Sequence, residues 1–448
     1  MCLTLFNMPV SLKIVLLAIA VVVVSGCSPG KKNLATGSSA NMVIVDSNFH
    51  LTEPYATKST MNFSKVIGWQ DDNMPVAPPG FVVNRFADDL VSPRWTYVCA
   101  NGDVLVAEAN TELTGFKKIG ASILGITKSQ RFDKSANRIT LLRDTNADGV
   151  ADIKKTFLSD LNQPFGMLIL GGFFYVANTD GLWRYPYQPG QTEITAAGKK
   201  ILSLPAGGYN NHWTRNIITN ADSTKIYISV GSGSNVAENG MENEIRRAGI
   251  LEINPDGSGE IIYASGLRNP VGMGFAPGTS VLWTAVNERD ELGDDLVPDY
   301  LTSVQKYGFY GWPYSYFGQK VDPRPEPKRP DLVKKAIVPD VSLGSHTASL
   351  GLAFYYHESF PVKYRNGAFI GQHGSWNRSE ISGYKVVFVP FADGQPSADP
   401  EDFLTGFISN KQKEEVYGRP AGVTIQQDGS MLVADDASNI IWRVSVKK

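Results

Sequence analysis

The chain has 448 residues, with 42 Lys and Arg against 44 Asp and Glu and a net charge of −2. That near balance, with no long basic run, excludes the electrostatic footprint of a nucleic-acid binder. Gly (43) and Pro (26) are numerous, which favours many turns and short strands over long helices.

At the N-terminus, Lys13 precedes the apolar run 14–24, which is too short for a bilayer-spanning helix and ends in small residues, as an export signal does. Val24-Ser25-Gly26-Cys27 has the form of a lipobox. Residues 1–26 are therefore read as a lipoprotein signal peptide, and Cys27 as the acylated first residue of the exported chain. Residues 8–27 make a complete signal by themselves, so Met8 competes with Met1 as the start. Ser28 rather than Asp follows the cysteine, which places the body on the periplasmic face, at the outer membrane of a Gram-negative bacterium, held by lipid alone. After cleavage Cys99 is the one cysteine left, so no internal disulfide forms and the core must suffice. It lies in the strand-like run 96–100 and reads as a small buried apolar residue. Residues 28–60 are polar and read as a tether; residues 27–77 are taken together as linker and N-terminal segment.

Residues 78–448 repeat one unit six times: a polar residue, often near Pro, then an apolar stretch, a Gly turn and an apolar strand. The strands are 104–108, 172–178, 225–231, 281–287, 367–373 and 429–435. A further strand follows most copies, at 138–143, 182–185, 250–254, 384–389 and 440–444. About four short strands per unit is the content of a propeller blade. The chain is therefore expected to be all-β, a six-bladed β-propeller with loops inserted at 111–135, 288–307 and 318–345, and with 440–444 closing the ring near residue 80. A β-sandwich or two small β domains is the competing architecture, and six matching units argue against it.

In a propeller the first strand of each blade lines the central channel, so the residues just before it gather at one mouth. Here they are Arg94, Gln163, His212, Arg268 with Asn269, His346 and Arg419. Any one of them alone is as readily a strand-end cap, but six at equivalent positions form a ring. Arg forks pair with carboxylates, Gln and Asn read carbonyl groups, and His supplies a general base, so the ring suits a flat anionic ligand.

Several segments resemble the soluble PQQ-dependent sugar dehydrogenases of the glucose/sorbosone family. They are Leu161-Asn-Gln-Pro-Phe-Gly-Met167, Asn211-His-Trp-Thr-Arg215, Gly266-Leu-Arg-Asn-Pro-Val-Gly272, Tyr307-Gly-Phe-Tyr-Gly-Trp-Pro313 and Gly418-Arg-Pro-Ala-Gly422. Gly371-Gln-His-Gly-Ser-Trp-Asn-Arg-Ser379 is similar to the sorbosone and pyranose dehydrogenase branch. The resemblance implies PQQ, a planar quinone with three carboxylates, bound with Ca²⁺ over the centre of the propeller. It further implies His212 as general base, with Arg268 stabilising charge that develops on the reduced cofactor. Gln163, Asn211, Asn269 and Arg419 would contact the cofactor. Arg378 is the candidate for a family lysine on the fifth blade, and Asn287 and Glu288 would hold Ca²⁺ through backbone carbonyls, with a carboxylate able to join them. The implied activity is oxidation of an aldose or a sorbosone-like aldehyde or hemiacetal. No Cys-x-x-Cys-His haem motif is present, so electrons would leave to an external acceptor, a cytochrome or a quinone. Two departures stand out: Asn211 replaces an Asp that precedes the family's histidine, and 287–295 lacks the family's Gly-Pro turn.

Asp144-Thr-Asn-Ala-Asp-Gly-Val-Ala-Asp152 has the opening pattern of a calcium loop, but Lys155 stands where an EF-hand has its closing Glu. A structural Ca²⁺ site and a solvated hairpin turn both remain open. Two further functional classes stand beside the dehydrogenase: a Ca²⁺-dependent propeller lactonase or hydrolase, and a non-catalytic propeller that binds glycans or proteins.

Overall fold

A computed structural model describes residues 50–70, 72–112 and 134–447. The signal peptide, Cys27, most of the tether and residues 113–133 of the first inserted loop lie outside the described residues.

The described chain is all-β, with only short helical turns at Met241–Glu244, Pro330–Val333 and Val362–Tyr364. Six antiparallel sheets follow one another. The first is Pro93–Val98, Val104–Glu108, Arg138–Arg143 and Ile153–Leu158. The second is Met167–Leu170, Phe173–Asn178, Gly181–Pro186 and Lys199–Ser203. The third is Ile217–Thr219, Ile226–Val230, Gly249–Ile253 and Ile261–Ser265, with Gly308–Phe309 added in parallel at its edge. The fourth is Pro270–Phe275, Leu282–Val286, Pro298–Ser303 and Val341–Ser345. The fifth is Ala353–Phe354, Ala368–Gln372, Lys385–Val389 and Glu401–Leu404. The sixth draws on both ends of the body: Pro420–Ile425, Met431–Asp435 and Ile440–Val446, then Phe81–Ala87. Pairing of Phe81–Ala87 with Ile440–Val446 is antiparallel, Phe81 opposite Val446, as expected for a strand from near residue 80.

The first strands of the six sheets neighbour one another in cyclic order, and Pro420–Ile425 returns to Pro93–Val98. Stacking in this order buries each second strand on both faces. Val104–Glu108, Ile226–Val230, Leu282–Val286, Ala368–Gln372 and Met431–Asp435 are buried at every position. Two-sided burial is why they read as continuous apolar runs rather than as alternating ones. Aromatic side chains fill the gaps between sheets: Trp283 meets Phe391 edge-on, and Trp95 packs against Phe165. Backbones approach closely between the fifth and sixth sheets, where a Cβ at Gly351 or at Gly371 would stand 2.3 Å from the Ala421 carbonyl oxygen.

Two sequence expectations are corrected. Of the stretch read as a free tether, residues 50–60 are fastened to the body. Tyr55 N donates to Leu292 O at 2.8 Å. The hydroxyls of Ser59 and Thr57 accept from Gly293 N and Asp294 N at 2.9 and 2.8 Å. The polar side chains that suggested a linker instead satisfy loop amides. The same segment continues into Lys65–Val66, paired in parallel with Glu415–Val416. Second, the insertions 288–307 and 318–345 are not only loops, because they carry Pro298–Ser303 and Val341–Ser345, the outer strands of the fourth sheet. Buried Asp299 interrupts the apolar pattern there, and its carboxylate accepts from Ser349 N at 2.6 Å, Glu288 N at 2.8 Å and Thr347 Oγ1 at 2.9 Å. The Asp144–Asp152 segment is the connection between two antiparallel strands of the first sheet. Its carboxylates accept its own amides, with Asp144 taking Ala147 N at 2.7 Å and Gly149 N at 2.8 Å.

Candidate active site

Where the starts of the first strands converge there is a cavity of about 300 Å³. Arg94, His212, Arg268, Asn269 and Arg419 line it, as their equivalent places in the repeat require, and Asn211 lies at its edge. Trp213, Trp376, Val271 and Leu350 supply apolar walls. Flat apolar walls with a few convergent cations and amides describe a ligand site.

His212 precedes the first strand of the third sheet. Its Nδ1 lies 2.8 Å from Ser232 O and 3.0 Å from Ser232 Oγ. A carbonyl oxygen only accepts, so Nδ1 carries the hydrogen and Nε2 keeps a lone pair. Burial, with the nearby Arg268 charge, pushes the imidazole down to about 3 and keeps it neutral. Gly231 makes the arrangement possible, since a Cβ there would stand 2.5 Å from His212 Cβ and 2.3 Å from Asn269 Oδ1. Asn211, whose Nδ2 donates to the Tyr209 hydroxyl at 3.1 Å, places no carboxylate beside the histidine.

Arg268 is buried in a nest of oxygens. Nη2 donates to Asn235 Oδ1 at 2.9 Å and faces Asp290 at 3.2 Å. Nη1 donates to Glu288 O at 2.5 Å, with Asn287 O and Oδ1 at 3.5 and 3.4 Å. Asp290 in turn meets His346, whose Nδ1 is 3.3 Å from its carboxylate and whose Nε2 is 2.8 Å from Gly293 O. Burial alone would push His346 down, but the Asp290 carboxylate overrides it and the group titrates above its ordinary value. His346 thus reaches the cavity through Asp290 and Arg268.

Other expected site residues stand elsewhere. Gln163 does not line the cavity, and its Nε2 donates to Asn110 O at 2.9 Å. Arg378 is corrected outright: it pairs with Asp295 at 3.2 Å and lines a separate cavity of about 470 Å³ between the fourth and fifth sheets. The fifth sheet instead presents His373, which the sequence reading passed over. The signal lay at the other end of the repeat. Antiparallel pairing brings the end of the second strand beside the start of the first, here Gln372 opposite Ser349, so His373 is as central as the ring itself. His373 Nε2 is 2.7 Å from Asp436 Oδ1, and the other Asp436 oxygen pairs with Arg94. Arg94 also stands over the Trp213 ring, 5.5 Å from its centroid. Arg419 Nε and Nη2 donate to His373 O and Gly374 O, each at 2.9 Å.

The donor set fits a planar polycarboxylate. Two buried polar atoms of cavity residues, Arg94 Nε and Asn269 Oδ1, have no hydrogen-bond partner among the described residues, and three arginines line one small volume. For calcium, the hard oxygen donors nearby are Asn287 O and Oδ1 and Glu288 O, and in this structure all three face the Arg268 guanidinium. The Glu288 carboxylate is turned away onto Arg289, at 2.9 Å, so that residue offers its carbonyl alone. Among the described residues no cluster of three or more His, Cys, Asp or Glu is poised for a metal.

The described chain is thus an all-β ring of sheets with a neutral histidine and a cationic, aromatic-walled cavity at its centre. Comparison with known proteins places it in a family. The TrAA12-like family model matches residues 75–298 and 325–447, and the chain belongs to that family. A curated relative, the pyrroloquinoline quinone-dependent pyranose dehydrogenase of Coprinopsis cinerea, is 23% identical over 430 residues, covering 81% of this chain and 53% of the relative. The chain thus spans about half the length of that relative. An uncharacterised Borreliella burgdorferi protein is 30% identical over 306 residues, covering 65% of this chain and 78% of the relative. Among solved structures, the holo PQQ domain of the Coprinopsis cinerea pyranose dehydrogenase aligns with a TM-score of 0.67 at 19% identity, covering 86% of this chain and all (100%) of that one. The PQQ-bound aldose sugar dehydrogenase of Streptomyces coelicolor aligns with a TM-score of 0.55 at 16% identity, covering 83% of this chain and 100% of that one. The resemblance to PQQ-dependent sugar dehydrogenases read from the motifs is borne out.

Proposed function

We propose that this chain is a quinoprotein oxidoreductase: a PQQ- and Ca²⁺-dependent sugar dehydrogenase built as a six-bladed β-propeller, each of the six sheets being one blade. The observation that carries the reading is His212, a neutral imidazole whose Nε2 makes no hydrogen bond to any described residue, set in the same cavity as Arg94, Arg268 and Arg419. Bound PQQ supplies a quinone that accepts hydride. Arg94, Asn269 and Arg419 would hold its carboxylates and carbonyls, with Asn211 beside them in the cavity lining. The backbone carbonyls of Asn287 and Glu288 would hold Ca²⁺. His212 Nε2 takes the proton of the sugar hydroxyl as hydride leaves its carbon, while Nδ1–H stays on Ser232 O and fixes the ring. Arg268 places a buried positive charge where negative charge develops. The substrate is an aldose or a related sorbosone-like aldehyde or hemiacetal, and the electrons pass on to an external cytochrome or quinone.

The test is dye-coupled oxidation of a panel of aldoses and aldehyde sugars by protein reconstituted with PQQ and Ca²⁺. Turnover that needs both additions is expected, and its loss on chelation should be reversed by Ca²⁺. Reconstituted protein that oxidises no sugar, or that hydrolyses lactones in the absence of PQQ, would contradict the reading.

Lipidation at Cys27 is proposed on the lipobox, with the body on the periplasmic face of the outer membrane. Cys27→Ala is expected to leave the precursor unprocessed or to release the protein from the membrane fraction. Unchanged fractionation and unchanged mass would exclude the anchor.

A further inference from the structure

Asp436 joins two cavity residues from different sheets, Arg94 of the first and His373 of the fifth, one on each carboxylate oxygen. Asp436 itself does not line the cavity, whereas His373 does. The Nε2 edge of the imidazole is committed to Asp436, outside the cavity lining, so Nδ1 is the ring nitrogen left for the cavity. Nδ1 makes no hydrogen bond to any described residue. In a neutral ring, Nε2–H must be the hydrogen given to Asp436, because a carboxylate only accepts. That leaves a lone pair on Nδ1 facing the space that an anionic ligand enters. Two acceptors facing each other repel, so a carboxylate docks there only if Nδ1 gains a proton.

We infer that His373 is a proton-coupled anchor for a ligand carboxylate: it binds as an imidazolium, with Nε2–H held by Asp436 and Nδ1–H given to a carboxylate of PQQ, the proton being drawn from solvent as the ligand enters. This rests on the PQQ reading above. The charged groups around the ring set up the coupling. Arg94 from the first sheet and Arg419 from before the sixth both face it, and Asp436 braces it. Asp435 lies beneath Arg419, accepting Arg419 N at 2.9 Å. Arg268 and His212 line the same cavity. In the ligand-free protein, burial and the Arg419 charge push His373 down to about 4, so its proton is absent at neutral pH. An incoming carboxylate offsets those cations and adds an acceptor, which raises the affinity of the ring for a proton. His212 is different, since its Nδ1 is committed to Ser232 and its Nε2 is kept for the substrate hydroxyl.

Calorimetric titration of the cofactor-free protein with PQQ and Ca²⁺ at pH 6, in two buffers of different ionisation enthalpy, counts the protons taken up. Wild type is expected to take up close to one proton. His373→Gln should lose most of that uptake and bind PQQ roughly 10–100-fold more weakly, the worth of a charge-assisted hydrogen bond. Wild-type affinity should fall as pH rises, and that of His373→Gln should be nearly flat. Proton NMR of ¹³C-histidine-labelled wild type gives an answer independent of any variant: the His373 ring should shift from neutral to imidazolium on PQQ addition. Equal uptake in wild type and His373→Gln, or a ring that stays neutral in the complex, overturns the inference while leaving the PQQ reading intact. Failure of wild type to bind PQQ overturns both.

Discussion

Replacing His212 by Ala is expected to lower sugar turnover by about 10²–10⁴-fold, the range of a well-placed general base, while PQQ still binds. The separation of effects follows from the geometry. His212 is fixed by Ser232 rather than by the arginines that would hold the cofactor, so its removal takes away a proton acceptor and little cofactor contact. Steady-state kinetics with saturating PQQ checks the first part and a PQQ titration the second. Equal turnover in wild type and variant would remove His212 from the mechanism. The depressed basicity of His212 has its own signature. The folded group titrates near 3, below its unfolded value of 6.5, so the unfolded chain binds the proton first. The stabilisation is therefore fully present above pH 6.5 and is lost as pH falls from there towards 3. Histidine NMR of the cofactor-free protein should accordingly show the His212 ring neutral at pH 5, and a ring that titrates at 6.5 would contradict the buried, cation-flanked placement.

Arg268→Ala should have the broader effect. The guanidinium is the shared partner of Asn235, the Asn287 and Glu288 carbonyls and Asp290. Removing it leaves Asp290 buried beside His346 without its main cation, a loss of the order of 3–5 kcal/mol for a broken buried pair. It also removes a preorganised charge at the reacting centre, for which a drop of about 10²–10³ in turnover is expected. Arg268 is thus predicted to lower the melting temperature, PQQ retention and turnover together, in contrast to His212. Arg268→Lys should recover little, because one ammonium cannot reproduce the fork that spans Asn235 and Glu288. Thermal melts, PQQ titration and kinetics on the same preparations separate the three effects. A variant with wild-type melting and wild-type turnover would contradict the assignment.

Much of the ring was legible in the sequence because the repeat has a physical cause. Each second strand is buried on both faces and reads as an apolar run, and each first strand must start beside its neighbours, which brings Arg94, His212, Arg268, Asn269 and Arg419 together. Where a polar side chain is buried inside a strand, the pattern broke: Asp299 hid the third strand of the fourth sheet, and the stretch read as a loop. Arg378 was the candidate because it is a cation in the right motif, and His373 was not considered. Yet a side chain near the end of a long motif finds the nearest carboxylate, here Asp295, whereas the end of a second strand is held at the centre by its pairing. Gln163 follows the repeat position but turns its amide onto Asn110 O. A repeat places backbones, and local hydrogen bonds then decide where each side chain points. The segment 50–66 was taken for linker because its contacts with the 292–294 loop and with Trp376 join residues more than two hundred positions apart, which composition does not reveal.

The central claim is that the cavity binds PQQ, and the most direct measurement is a PQQ titration of the cofactor-free protein in the presence of Ca²⁺, followed by the quinone absorption band and by quenching of tryptophan fluorescence. Trp213 and Trp376 line the cavity, so a single saturable site is expected, with both signals reaching their end points together. Arg419→Ala should weaken it, because that guanidinium is fixed on His373 O and Gly374 O beside the cavity. No spectral change and no quenching at PQQ concentrations that saturate a wild-type quinoprotein would contradict the account.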